Sequence, residues 1–184
     1  MSNVSVALIG EPEKPKFQSN VECCKILYNN FINYDKEPYL NRYGDSEYLF
    51  LDFYLLKIKM PRGFGNSYAI KEIIKDQSNK EFLIVSTNYD QKRNMVEMFM
   101  NDSAFSLDEH SYDSNRKTFR IHNQNVFVDF TTQGFERYDH ELRAQRIKYF
   151  IFDNPSGMDE RKIASNVRLF SRNGIWPHVA VFGH

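Results

Sequence analysis

At 184 residues the chain is long enough to bury one sizeable core and short for two domains. Its 24 basic side chains are matched by 24 acidic ones, which excludes both a globally basic nucleic-acid tail and an acidic solvating chain. Any site for a polyanion is therefore a local patch. The only cysteines, Cys23 and Cys24, are adjacent within a predicted helix, which gives neither a disulfide framework nor metal-ligand spacing and points to a reducing, cytoplasmic setting.

The amino-terminal "MSNVSVALIGEPEKPKF" has too short an apolar run for a spanning helix and no basic leader before it, so neither a signal peptide nor a membrane partner is expected. Pro12 and Pro15 among charges mark residues 1–17 as an arm, and "NVECCKILYNNFIN" (20–33) has helical apolar spacing. Residues 1–47 thus read as an arm and helical lead-in, and residues 48–184 as the core. Within it, "YLFLDFYLLKIKM" (48–60), "EFLIVST" (81–87), "IKYFIFD" (147–153) and "HVAVFGH" (178–184) are nearly continuous apolar runs of the kind buried on both faces of a parallel sheet. Helical patterns at 67–76, 89–101 and 157–172 fall between them, an alternation that predicts an α/β fold with a mostly parallel sheet flanked by helices. "KTFRIHNQNVFVDFTTQ" (117–133) reads as an inserted hairpin turning at "HNQN". The chain ends on its last apolar strand with no helix after it to cover that part of the sheet, so either another element covers it or the domain is cut short there.

"KIKMPRGFGNSYAIKEIIKD" (57–76) runs from strand through a glycine-bearing turn into an amphipathic helix, the order of a phosphate-binding loop, in which backbone N–H groups and a helix N-terminus surround phosphates. Against G-x-x-x-x-G-K-[ST] it places Met60 at the first glycine, Gly65 at the second, Asn66 at the lysine and Ser67 at the magnesium-binding hydroxyl. Two of the four fixed positions match, and a tight strand-to-helix turn accounts for the pattern equally well. Met60 is expected to narrow the turn.

Four segments in order resemble the ATPase domain of phage large terminase subunits and, more distantly, helicases that share its core. "PRGFGNS" (61–67) is similar to the family's phosphate loop, "FLIVSTNYDQKRNMVEMF" (82–99) to the strand and helix that follow, "GFERYDHELRAQRIKYFIFDN" (134–154) to the run into the acidic strand end, and "HVAVFGH" to the coupling strand. The resemblance implies a P-loop NTPase-like domain without the nuclease domain that follows it in large terminases. It implies ATP contacts from Arg62, Gly63, Gly65, Asn66 and Ser67, and Mg2+ held by Ser67 and Asp153. The catalytic roles fall to Asp153 and to Arg62, since some terminases carry the phosphate-contacting cation early in the loop. It also implies a viral protein in the host cytoplasm, with DNA, packaging proteins or another protein as partner. A turn-capping role for Asp153, ahead of "NPSG", is the alternative to metal binding.

Two departures from the family pattern bear on activity. Asn66 stands where the family has lysine and carries no charge to stabilise a transferring phosphoryl group. Asn154 stands where the family has its water-activating glutamate, and an amide is no general base. Glu136 or Glu160 is a candidate substitute for that base, and Arg143 and Arg146 are candidate phosphate or DNA contacts that a solvated charged segment also explains. The expected function is a degenerate, non-hydrolysing binding or regulatory module, the alternative being an active ATP-dependent DNA motor. His110, His122, His140, His178 and His184 lack zinc-site spacing, and the 16 Phe and 11 Tyr fall mostly in apolar runs, where core packing accounts for them.

Overall fold

The computed structural model describes residues 6–7, 14–43, 46–60, 65–107, 119–121, 126–134, 147–171 and 175–183. Among them the strands form one sheet in the order β1-β2-β8-β7-β3-β6-β5-β4. These are β1 (Val6–Ala7), β2 (Leu55–Lys59), β3 (Glu81–Ser86), β4 (Phe105–Leu107), β5 (Phe119–Ile121), β6 (Phe127–Thr132), β7 (Tyr149–Asp153) and β8 (His178–Gly183). Pairing is parallel from β1 to β6 and antiparallel between β6, β5 and β4. The helices are α1 (Lys14–Asn33), α2 (Glu37–Tyr43), α3 (Glu47–Leu49) running into a π-helical turn (Phe50–Tyr54), α4 (Asn66–Lys75), α5 (Tyr89–Met100) and α6 (Glu160–Arg168).

Alternation along the strands divides the interior in two. Ile58, Phe82, Ile84, Val128, Phe130, Ile151, Ala180 and Phe182 face a layer made by α1, α4 and α5. Leu83, Val85, Phe150, Phe152 and Val179 face α3, the π turn, α6 and Trp176. The helices present matching stripes: Ile70, Ile73 and Ile74 on α4, Met95, Val96 and Phe99 on α5, Ile163, Ala164 and Val167 on α6. Asn88 and Asp159 cap α5 and α6, accepting the amide protons of Gln91 at 2.9 Å and Lys162 at 2.8 Å. Phe82, Phe99, Phe150, Phe152 and Phe182 are fully buried, each stabilising the fold by about 1.5–3 kcal/mol relative to exposure. No helix among the described residues is long and apolar enough to cross a membrane.

The structure corrects one of these expectations and decides another. Only the second half of 48–60 is a strand: Leu49, Phe50 and Tyr54 are buried on a helical and π-helical turn that Ser46 initiates by accepting the Leu49 amide at 3.3 Å. A continuous apolar run carries no periodicity to tell the two apart. The final strand is not left bare, because β8 is inserted between β2 and β7, and Val179, Ala180 and Phe182 are buried from both sides. Met60 is buried, with the Cys24 thiol reaching its sulfur at 3.6 Å, and the turn it was expected to narrow (61–64) lies outside the described residues. The 117–133 segment does pair β5 with β6 antiparallel, but β6 also extends the parallel sheet along β3, and "HNQN" (122–125) lies outside the described residues.

At the amino-terminal edge of the sheet, Lys36 is buried and donates to the carbonyls of Phe31 at 2.9 Å and Tyr34 at 3.2 Å, closing the end of α1. Its ammonium also lies 2.9 Å from His178 Nε2. An ammonium has no lone pair, so Nε2 is the acceptor and the ring proton sits on Nδ1. Burial pushes Lys36 down to about 8, against the pull of Asp35. Burial, then the charges of Lys36, Lys148 and Lys80, push His178 down to about 3. Between about 3 and its ordinary value of 6.5, His178 binds a proton in the unfolded chain but not in the folded one, so stability falls as the pH drops through that window. Urea unfolding between about pH 6.5 and pH 5, above most carboxylate titration, is expected to show this slope, and His178→Gln, which keeps an acceptor for Lys36, to flatten it.

Candidate functional site: a strand-end carboxylate at a helix N-terminus

Asp153 is the last residue of β7, and strand alternation turns it to the α4 and α5 side. It is 2 % exposed. β2 leads through residues 61–65 to α4, whose first turn comes up against this carboxylate: Ser67 Oγ donates to Asp153 Oδ2 at 3.2 Å. Gly65 precedes α4 in the left-handed region (φ 79°, ψ 44°), where a Cβ is disfavoured, and it has no side chain to cap the helix. The amino-terminal amides of a helix so begun are suited to an anion.

A second set of contacts reaches Asp153 from α5. Gln91 Nε2 donates to Asp153 Oδ2 at 3.1 Å and to the Asp153 carbonyl at 3.2 Å, while Gln91 Oε1 accepts the Thr87 amide at 3.0 Å. The Thr87 hydroxyl donates to the Asn154 carbonyl, and the Asn154 amide donates to Phe182 O of β8 at 2.6 Å. The ends of β3, β7 and β8 are thereby tied together. Asn154 is in the left-handed region at φ 49°, a conformation asparagine adopts far more readily than glutamate. Ser86, paired in register with Asp153, has a buried hydroxyl without a partner, and so has the Asn66 side-chain oxygen. Buried polar atoms of this kind are uncommon and mark a place where a ligand or water would be satisfied.

Of the sequence-predicted residues, Ser67 and Asp153 are in direct contact, and Gly65 and Asn66 open the same helix. Arg62 and Gly63 lie outside the described residues, as do Glu136, Arg143 and Arg146. Glu160 sits on the opposite side of the sheet, paired with Lys57 and away from Asp153. The sequence reading gave Gln91 and Thr87 no role at the site. Asn88-x-x-Gln91 is a capping-box pattern, which already explains both residues locally. That the Gln91 side chain reaches another strand's carboxylate is a tertiary fact.

No protein-family model matches this sequence, and neither does any curated protein sequence. Among solved structures, the chain is similar to the large terminase ATPase domain of Thermus phage P74-26, at TM-score 0.39 and 14 % identity over 70 % of this chain and 58 % of that one. It is also similar to the large terminase of a thermophilic bacteriophage, at TM-score 0.44 and 11 % identity over 70 % of this chain and 33 % of that one. The ADP complex of that enzyme gives TM-score 0.43, 14 % identity and 32 % coverage. The chain therefore spans between about a third and about three fifths of the length of these proteins. The fold is α/β, a mostly parallel sheet flanked by helices.

Two substitutions check this geometry in chemical denaturation. Gly65→Ala is expected to cost about 1–2 kcal/mol, the penalty for a Cβ in the left-handed region. Gln91→Ala removes donors from a buried carboxylate and is expected to cost about 1–3 kcal/mol, unlike an exposed α5 residue such as Arg93, whose replacement by Ala should change stability by less than about 0.5 kcal/mol.

Proposed function

We propose that this chain is a degenerate, terminase-like P-loop ATPase domain that binds phosphate groups weakly without hydrolysing ATP. The observation that carries this reading is the 3.2 Å contact between Ser67 at the start of α4 and Asp153 at the end of β7, with an amide at position 66 beside it. A hydroxyl, a carboxylate and an uncapped helix N-terminus are the parts that receive phosphate and its counter-ion. Ser67 and Asp153 are hard oxygen donors and fit Mg2+, which prefers a protein carboxylate plus substrate phosphates, so these two residues would hold it. The orphaned oxygens of Asn66 and Ser86 add polar capacity at the same end of the sheet.

The deficits are chemical. Asn66 brings no cation to the phosphates, and Asn154 brings no base. Glu160 is no substitute for that base, since it is engaged by Lys57 across the sheet. What is left is a binding or regulatory module. By the sequence resemblance we place it in a virus, in the host cytoplasm, with DNA, a packaging protein or a host protein as partner.

ATP turnover is expected to be negligible with or without DNA, while ATP gives a low-affinity, salt-sensitive thermal shift that grows with ligand concentration and shrinks in Arg62→Ala. Restoring Asn66→Lys with Asn154→Glu should recover binding more than turnover, because position 154 is held at a positive φ that glutamate adopts at a cost of about 1 kcal/mol or more. DNA-stimulated turnover in the unmodified chain, abolished by Ser67→Ala or Asp153→Ala, would overturn the reading and favour an active motor.

A further inference from the structure

Lys57 occupies a position where the strand pattern calls for an apolar side chain. On the α6 side of the sheet β2 presents Leu55, Lys57 and Lys59, and Lys57 is in register with Val181 of β8. The Lys57 side chain is only 25 % exposed. Burial and the neighbouring Lys59 charge push its ammonium down from its ordinary value. Its ion-pair partner is Glu160, the first residue of α6, itself 40 % exposed. A pair this open adds little stability, whereas a well-packed apolar residue at 57 would stabilise the fold without desolvating a charge.

The pair stands in a cavity of about 460 Å³ whose wall also includes Lys59, Asn154, Arg161 and Val181. The other carboxylate there, Asp159, is spent on the amino-terminal cap of α6. Three cations thus line one cavity against two carboxylates, one paired with Lys57 and the other capping α6. The cavity lies at the carboxyl ends of β2 and β8, where open α/β sheets bind ligands, but across the sheet from Ser67 and Asp153.

We propose that this cavity binds a phosphate group, which displaces Glu160 from Lys57 and lies among Lys57, Lys59 and Arg161. A phosphate carries more charge and more acceptor oxygens than a carboxylate, so three converging cations favour the exchange. Met158 and Ile163 supply an apolar wall beside the cations, room for the body that bears the phosphate. The site is separate from the Ser67–Asp153 site and does not depend on nucleotide binding there.

The test uses the full chain with 13C-labelled Ile and Val methyl groups, titrated separately with pyrophosphate and with a short DNA oligonucleotide. Saturable, salt-sensitive shifts of Ile163 and Val181 are expected. A response to pyrophosphate assigns the site to small phosphates, and a response confined to the oligonucleotide assigns it to a nucleic-acid backbone. Glu160→Gln should tighten binding by up to about fivefold, Lys59→Gln and Arg161→Gln should each weaken it, and Ser67→Ala should leave it unchanged. The proposal fails if Ile163 and Val181 stay unmoved by millimolar pyrophosphate and by oligonucleotide in both the unmodified and Glu160→Gln proteins. It also fails if their shifts vanish in Ser67→Ala but persist in Lys59→Gln and Arg161→Gln.

Discussion

β8 runs parallel between β2 and β7, hydrogen-bonded to each along its length, and that insertion positions what lies at the carboxyl edge of the sheet. It spaces the exit of β2, which leads to α4, one strand away from the end of β7, so that the first turn of α4 meets Asp153 across the end of β8. The Asn154 amide is anchored to Phe182 O and the Met60 amide to Gly183 O, at 2.6 and 3.1 Å. The last strand of the chain is thus an interior one, and its Val179, Ala180 and Phe182 belong to both apolar layers. Parallel strands buried on both faces are restricted to near-continuous apolar sequence, and polar groups are confined to their ends.

Polar chemistry accordingly collects at the two edges. At the carboxyl edge, Asp153 is buried yet supplied with donors from α4 and α5, which is what a carboxylate requires to remain in an interior. At the amino edge, Lys36 and His178 satisfy one another and close the end of α1, with the rings of Phe31 and Tyr54 around the ammonium at 5.2 and 5.4 Å. A third, half-buried charge cluster, Asp102 with Lys71 at 2.7 Å and Lys75 at 3.0 Å, holds α4 to the turn after α5. The two lysines and the Ala104 amide hold the Asp102 carboxyl well below its ordinary range, despite the opposing effect of burial. α4 is therefore fixed at both ends, by Ser67 and by this cluster.

The two asparagines differ in what the fold asks of them. Asn154 occupies a left-handed turn that its side chain tolerates and a glutamate would strain, so the backbone at this position matches an amide rather than a general base. Asn66 sits in regular helix with its side-chain oxygen buried and unsatisfied. Nothing in the local backbone selects asparagine there.

The α/β class, the positions of α4, α5 and α6, and the buried strands β3, β7 and β8 were legible in the sequence. Their apolar runs, helical stripes and turn residues carry local signals that no distant contact has to supply. So was the candidacy of Gly65, Ser67 and Asp153, which lie at strand and helix ends where such chemistry is placed. The π turn at Phe50–Tyr54 was hidden because an unbroken apolar run has no period. Strand order was hidden as well, since parallel pairing is set by crossovers and packing, not by residues near in sequence. From that order follow the covering of β8, the contact of Gln91 with Asp153 and the Lys57 cavity on the opposite side. The last two join residues more than sixty positions apart, at distances that only the tertiary structure fixes.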